Sequence, residues 1–71
     1  MMYCAIKSNV VYVYENDGRN IRQLRPHSSY GMVTGAQITG DDVAVQCQNG
    51  ERRYVLLYNV DGRLMRQTSV R

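Results

Sequence analysis

Apolar and polar positions along this chain alternate in short runs separated by turn residues. Val11 and Val13 fall on one side of an extended segment and Tyr12 and Tyr14 on the other; further on, Val55 and Leu57 oppose Tyr54, Leu56 and Tyr58. A period of two carried by β-branched and aromatic residues marks strands, and no segment shows a helical period. Asp17-Gly18, Asn49-Gly50 and Asp61-Gly62 supply hairpin turns, because a type I′ turn needs positive φ at both central residues and these pairs tolerate it. Ser8-Asn9 holds the matching place near the start. The pattern predicts seven strands: Met2 to Lys7, Val10 to Glu15, Asn20 to Arg25, Met32 to Thr39, Val43 to Gln48, Arg53 to Asn59 and Arg63 to Val70. Pro26 to Tyr30 reads as a linker.

The chain also repeats itself. At an offset of 44 (58 − 14), Tyr58 falls on Tyr14, and VYVYENDGRNIRQL from Val11 matches VLLYNVDGRLMRQT from Val55 at seven of fourteen positions. The identities include both Asp-Gly-Arg turns and the pairs Arg22/Arg66 and Gln23/Gln67. Cys4 and Cys47 stand 43 apart (47 − 4), one residue out of that register. The expected organisation is a single all-β domain with an internal repeat, 2–25 and 43–70, and a linker plus an extra strand over 26–42.

In a lone antiparallel sheet one face is polar. Here the central strand of each copy is apolar on both faces, so each needs cover on two sides, by another sheet of the same chain or by a neighbouring subunit. The four-strand spacing, with VxxxNGxxxYVxxYNxDGRLMR in the second copy, resembles a blade of a β-propeller. The Tyr-x-x-Asp-Gly-Arg-Leu part also resembles the tyrosine-aspartate repeats of bacterial Rhs-type surface proteins, whose period is about half as long. The blade resemblance implies an all-β antiparallel fold of two blade-like units, one lacking its first strand. Two blades do not close a ring, so it further implies a homo-oligomer, with three chains giving six blades. The competing fold is a small SH3-like or OB-like barrel, which would pair with a basic nucleic-acid-binding role.

Composition sharpens this picture. With 71 residues and no Trp or Phe, six Tyr and the aliphatic residues carry the burial. A chain this short buries only about 60% of the surface it exposes when unfolded, so oligomerisation is a natural supplement. The two cysteines have no CxxC spacing or Cys/His cluster around them, which predicts no zinc site, no cofactor and no metal. With neither a leader-like segment nor an apolar run near 20 residues, the expectation is a cytoplasmic protein with reduced thiols and no membrane partner. The net charge is +3, from eight Arg and one Lys against six acids, a mild pull toward anionic partners.

Candidate chemistry is sparse. Asp-Gly-Arg-x-x-Arg occurs twice, placing Arg19, Arg22, Arg63 and Arg66 as candidate anion or nucleic-acid contacts, since guanidinium groups pair bidentately with phosphate and carboxylate. Tyr12, Tyr14, Tyr54 and Tyr58 are candidates for an interface or for stacking on a ligand. His27 beside Ser28 and Ser29 is read as a loop histidine, because nucleophilic catalysis needs a base oriented by a third group. Asp41-Asp42 reads as turn chemistry, and Gly31 to Gly35 lacks the Lys-Ser/Thr ending of a phosphate loop. The expectation is a non-enzymatic oligomeric binding or assembly module acting on a protein or small-molecule partner.

Overall fold

Tight turns dictate the topology, because strands joined by two to five residues can only pair antiparallel. A computed structural model describes residues 2–70. Strands β1 (Tyr3–Lys7), β2 (Val10–Tyr14) and β3 (Asn20–Leu24) form an N-terminal sheet in the order β1-β2-β3. After a 3-10 turn at Ser28–Tyr30, β4 (Met32–Thr39), β5 (Asp42–Asn49), β6 (Arg52–Tyr58) and β7 (Leu64–Val70) form a C-terminal sheet in the order β4-β5-β6-β7. The fold is all-β, as the alternation implies. The sheets do not close into a barrel, which removes the SH3-like and OB-like alternative. The reason lies in the connection after β3: Pro26 has no N–H to offer a ladder and fixes its own φ. The chain leaves the first sheet there, and β4 starts a second one.

The turns divide by chemistry. Ser8 and Asn9, both with positive φ (51° and 64°), join Lys7 to Val10 as a type I′ pair. Gly40 and Gly50, each at φ 63°, occupy the first central position of two-residue turns, the signature of type II′. Asn49, expected inside a turn, is instead the last paired residue of β5, opposite Arg52. The Asp-Gly sites are not type I′ either, since only Gly18 (φ 89°) and Gly62 (φ 83°) turn positive there. The Gly18 N–H donates to the Glu15 carbonyl at 2.9 Å, and the Gly62 N–H to the Asn59 carbonyl at 2.9 Å. A bulge sits beside each turn, between Val13 and Tyr14 and between Leu57 and Tyr58. Turn, closing bond and bulge are thus the same in both copies, 44 residues apart (62 − 18).

The first strands align differently. Tyr14 pairs with Tyr3 and Tyr58 with Val43, so Tyr3 corresponds to Val43 and Cys4 to Ala44, an offset of 40 (43 − 3). The second hairpin is therefore two residue pairs longer than the first, and Cys47 matches Lys7, not Cys4. A one-residue indel does not bring the cysteines into line, because lengthening a hairpin without changing which side chains face the core adds residues to both arms.

The core lies between the sheets. From the N-terminal sheet come Val11, Val13 and Leu24, and from the C-terminal sheet Val33, Val43, Val45, Cys47, Leu56 and Tyr58, all buried. Full burial of such a side chain stabilises by roughly 1.5–3 kcal/mol. The space left near Met2, Ile21 and Val60 is only about 10 Å³. Asn9 ties the layers together: its side chain donates to the Gly31 carbonyl at 3.3 Å and accepts the Val33 N–H at 2.7 Å. Gly31, at φ 85°, passes so close to β5 that a Cβ there would stand 2.1 Å from the Gln48 carbonyl oxygen.

Candidate functional site

Because Cα partners across a ladder share a face, the registers assign every strand residue to a side. In the N-terminal sheet the inner face carries Cys4, Ile6, Val11, Val13, Arg22 and Leu24, and the outer face Tyr3, Ala5, Tyr12, Tyr14 and Gln23. In the C-terminal sheet the inner face carries Val43, Val45, Cys47, Tyr54, Leu56 and Tyr58, and the outer face Ala44, Gln46, Val55, Leu57, Arg66 and Thr68. Under the 44-residue correspondence Val11 matches Val55 and Tyr12 matches Leu56. The two copies have therefore buried opposite faces of the same unit.

The four tyrosines separate accordingly. Tyr58 is 7% exposed and Tyr54 packs against the core, with Tyr30 meeting Tyr54 edge to face at 5.2 Å and 72°. The Tyr30 hydroxyl donates to the Gln67 side-chain carbonyl and so clamps the linker onto β7. Tyr12 and Tyr14 stay half-buried on the outer face of the N-terminal sheet. There Tyr3, 48% exposed, stacks on Tyr14 at 5.2 Å, and Tyr14 lies 6.5 Å from Tyr12. Three aromatic rings thus form one open ladder. Across the molecule, Val55 and Leu57 are half-buried on the outer face of the C-terminal sheet, with Ala44 beside them.

Two of the four arginines sit at turns and two on strand faces. Arg19 and Arg63 end their turns, where each carbonyl accepts an N–H at 2.9 Å, from Glu15 and Asn59 respectively. Arg22 crosses from the inner face of the N-terminal sheet to the turn of the other sheet. A Cβ on Gly62 would stand 2.9 Å from its Cδ, so the absence of a side chain at Gly62 makes room for the arginine stem. Arg66, the counterpart of Arg22, lies on the outer face of the C-terminal sheet, opposite Leu57. On the same sheet, a groove of about 280 Å³ opens where β4 bulges between Val33 and Gly35, lined by Thr34, Gln46, Gln48, Arg53 and Val55 among others.

Other candidates resolve into local structure. His27 Nδ1 accepts the Ser29 N–H at 3.1 Å and therefore also accepts from the Ser29 hydroxyl at 2.9 Å, capping the 3-10 turn. Asp41 completes the turn after Gly40, and Asp42 pairs with Thr39. Gly31 and Gly35 serve close backbone approach and the β4 bulge. Cys4 is half-buried and Cys47 buried; both are free, and burial pushes both thiols above their ordinary value of 9.0. Among the described residues no group of three or more His, Cys, Asp or Glu side chains could hold a metal ion, and no helix is long and apolar enough to cross a membrane.

The cross-sheet bonds of Asn9, the Tyr30 clamp and the Arg22–Gly62 crossing have no local signal, since each joins segments more than twenty residues apart. Neither a family model, nor a curated protein, nor a solved structure matches the chain.

Proposed function

We propose that this chain is a non-enzymatic, self-assembling binding module of the cytoplasm, in which copies complete one another's exposed sheets. One observation carries the reading: the two copies of the repeat cover opposite faces within the chain, which leaves one uncovered face of each kind, the tyrosine ladder and the Val55–Leu57 stripe. An uncovered aromatic or aliphatic sheet face rimmed by polar residues is the usual character of a protein-binding surface. Tyrosine suits it, being an apolar body with a wet end. Stacked blade-like units turned by a constant angle close into a ring, and the resemblance to β-propeller blades favours three chains and six units. The groove beside β4, with amide, hydroxyl and guanidinium groups on its rim, is where a small polar partner would sit in such an assembly.

Light scattering coupled to size exclusion, over a range of concentrations and at low and high salt, tests the reading. A constant mass of three times 8.2 kDa is the expected result. A monomer at micromolar concentration contradicts it. Capture of an oligonucleotide with affinity that falls steeply with salt, by a chain that stays monomeric, would place the function with Arg19, Arg22, Arg63 and Arg66 instead.

A further inference from the structure

Self-assembly alone does not say which surfaces meet. Of the four edge strands, β1 and β4 lie against one another, which leaves the edges β3 and β7 and two sheet faces open to a second copy. The internal repeat decides among them. Within the chain, the face bearing Val11, Val13, Arg22 and Leu24 covers the face bearing Val43, Val45, Leu56 and Tyr58. The counterpart of the first face is Val55, Leu57, Arg66 and Thr68, on the outside of the C-terminal sheet. The counterpart of the second is Tyr3, Ala5, Tyr12 and Tyr14, on the outside of the N-terminal sheet. Both halves of a contact the protein already makes are thus present again, unpaired, at its two ends.

Resting on the self-assembly reading, we infer that copies join head to tail: the outer face of one C-terminal sheet covers the outer face of the next copy's N-terminal sheet by repeating the intrachain packing. Three features fit the transposition. Arg22 reaches over Gly62, and the corresponding pair across the junction is Arg66 over Gly18. Gly18 is free to receive it, since a Cβ there would meet nothing nearer than the Tyr3 hydroxyl at 3.9 Å. The aliphatic stripe is also the thinner of the two, with Thr68 in the place of Leu24, whereas the facing surface carries tyrosines where the core has Val43 and Leu56, and Ala5 where it has Val45. Larger rings opposite smaller side chains keep the layers filled. Such an interface is heterologous, so it closes into a ring if the repeat angle divides a full turn and otherwise runs on as a filament.

Two variants, each spoiling one face, test the inference. Leu57→Glu alone and Tyr12→Glu alone are expected to stay monomeric by light scattering while keeping the far-UV strand signal. Mixed in equal amounts, they are expected to give a dimer of one chain of each kind, joined through the one intact pair of faces. Leu57→Gln with Tyr12→Gln repeats the experiment should a glutamate variant lose its strand signal. Arg66→Ala is expected to raise the dissociation constant about tenfold, or about 1.4 kcal/mol, whereas Arg22→Ala is expected to lower the unfolding midpoint without changing the interface. An unmodified chain that associates while either face variant keeps the unmodified mass, or variants whose mixture stays monomeric, overturns the head-to-tail arrangement and leaves self-assembly standing. A monomeric unmodified chain overturns self-assembly itself.

Discussion

The two sheets are built on one sequence unit, with the same turn, the same bulge and the same Arg and Gln positions, yet they point opposite faces at each other. Leu56 is 0% exposed in the core, while its counterpart Tyr12 lies on an open surface; Val11 is 0% exposed, while its counterpart Val55 is half-buried on the outside. The difference teaches that a repeated unit which stacks on itself needs two distinct apolar faces. A chain with only two units satisfies one of each. What remains uncovered is one face of each kind.

The largest expected effect comes from exchanging equivalent positions. Leu56→Ala, in dilute chain, is expected to lower unfolding free energy in urea by about 3 kcal/mol through lost burial and a residual cavity. Tyr12→Ala should lower it by less than about 1 kcal/mol and act on association instead. Equal losses would mean that both faces are covered within one chain. Next, Val11→Ala is expected to cost about 2 kcal/mol against about 0.5 kcal/mol for Val55→Ala, read as the shift in urea midpoint.

How much of this was legible in the sequence follows from where the physics is local. Strand boundaries came within about a residue of the observed ones, because alternation and Gly or Asn turns act over a few positions. The direction of each face was not legible, since Tyr12-Val13-Tyr14 and Leu56-Leu57-Tyr58 are apolar on both sides and hydrophobicity alone does not rank them. Turn type was misassigned where five residues share the work: Asp17 bonds the Arg19 N–H at 3.0 Å and keeps negative φ, while Ser8 and Asn9 take the type I′ geometry expected of Asp-Gly. The candidate residues divide the same way. Tyr12 and Tyr14 were identifiable from period, but Arg22 and Arg66 gain meaning only from the Gly62 crossing.

Two smaller effects sharpen the comparison further. Asn9→Gly keeps the positive φ but removes both bonds, to Gly31 and to Val33 of β4, and is expected to cost about 1.5 kcal/mol, whereas Asn20→Ala, whose amide bonds stay within its own sheet at 3.1 Å and 3.2 Å, should cost less. A urea series on both reads the difference. The alkaline limb reports on the core of the C-terminal sheet. Burial raises the Cys47 thiol above 9.0, and burial, then Cys47 and Tyr30, raise the Tyr58 phenol above 10.0. A raised acid is more readily ionised in the unfolded chain, so its contribution is fully present below the unfolded value and is lost as pH rises through the folded one. Stability should hold to about pH 9 and then fall, with a shallower fall in Cys47→Ala.

Covalent tyrosine labelling read by mass spectrometry, on the unmodified chain above and below its association concentration, addresses the central claim most directly. Protection of Tyr3, Tyr12 and Tyr14 that appears only in the assembled chain, with Tyr58 protected throughout, is the predicted result. Equal labelling of Tyr12 and Tyr14 in both states, while the mass rises, would contradict it and put the contact at a strand edge.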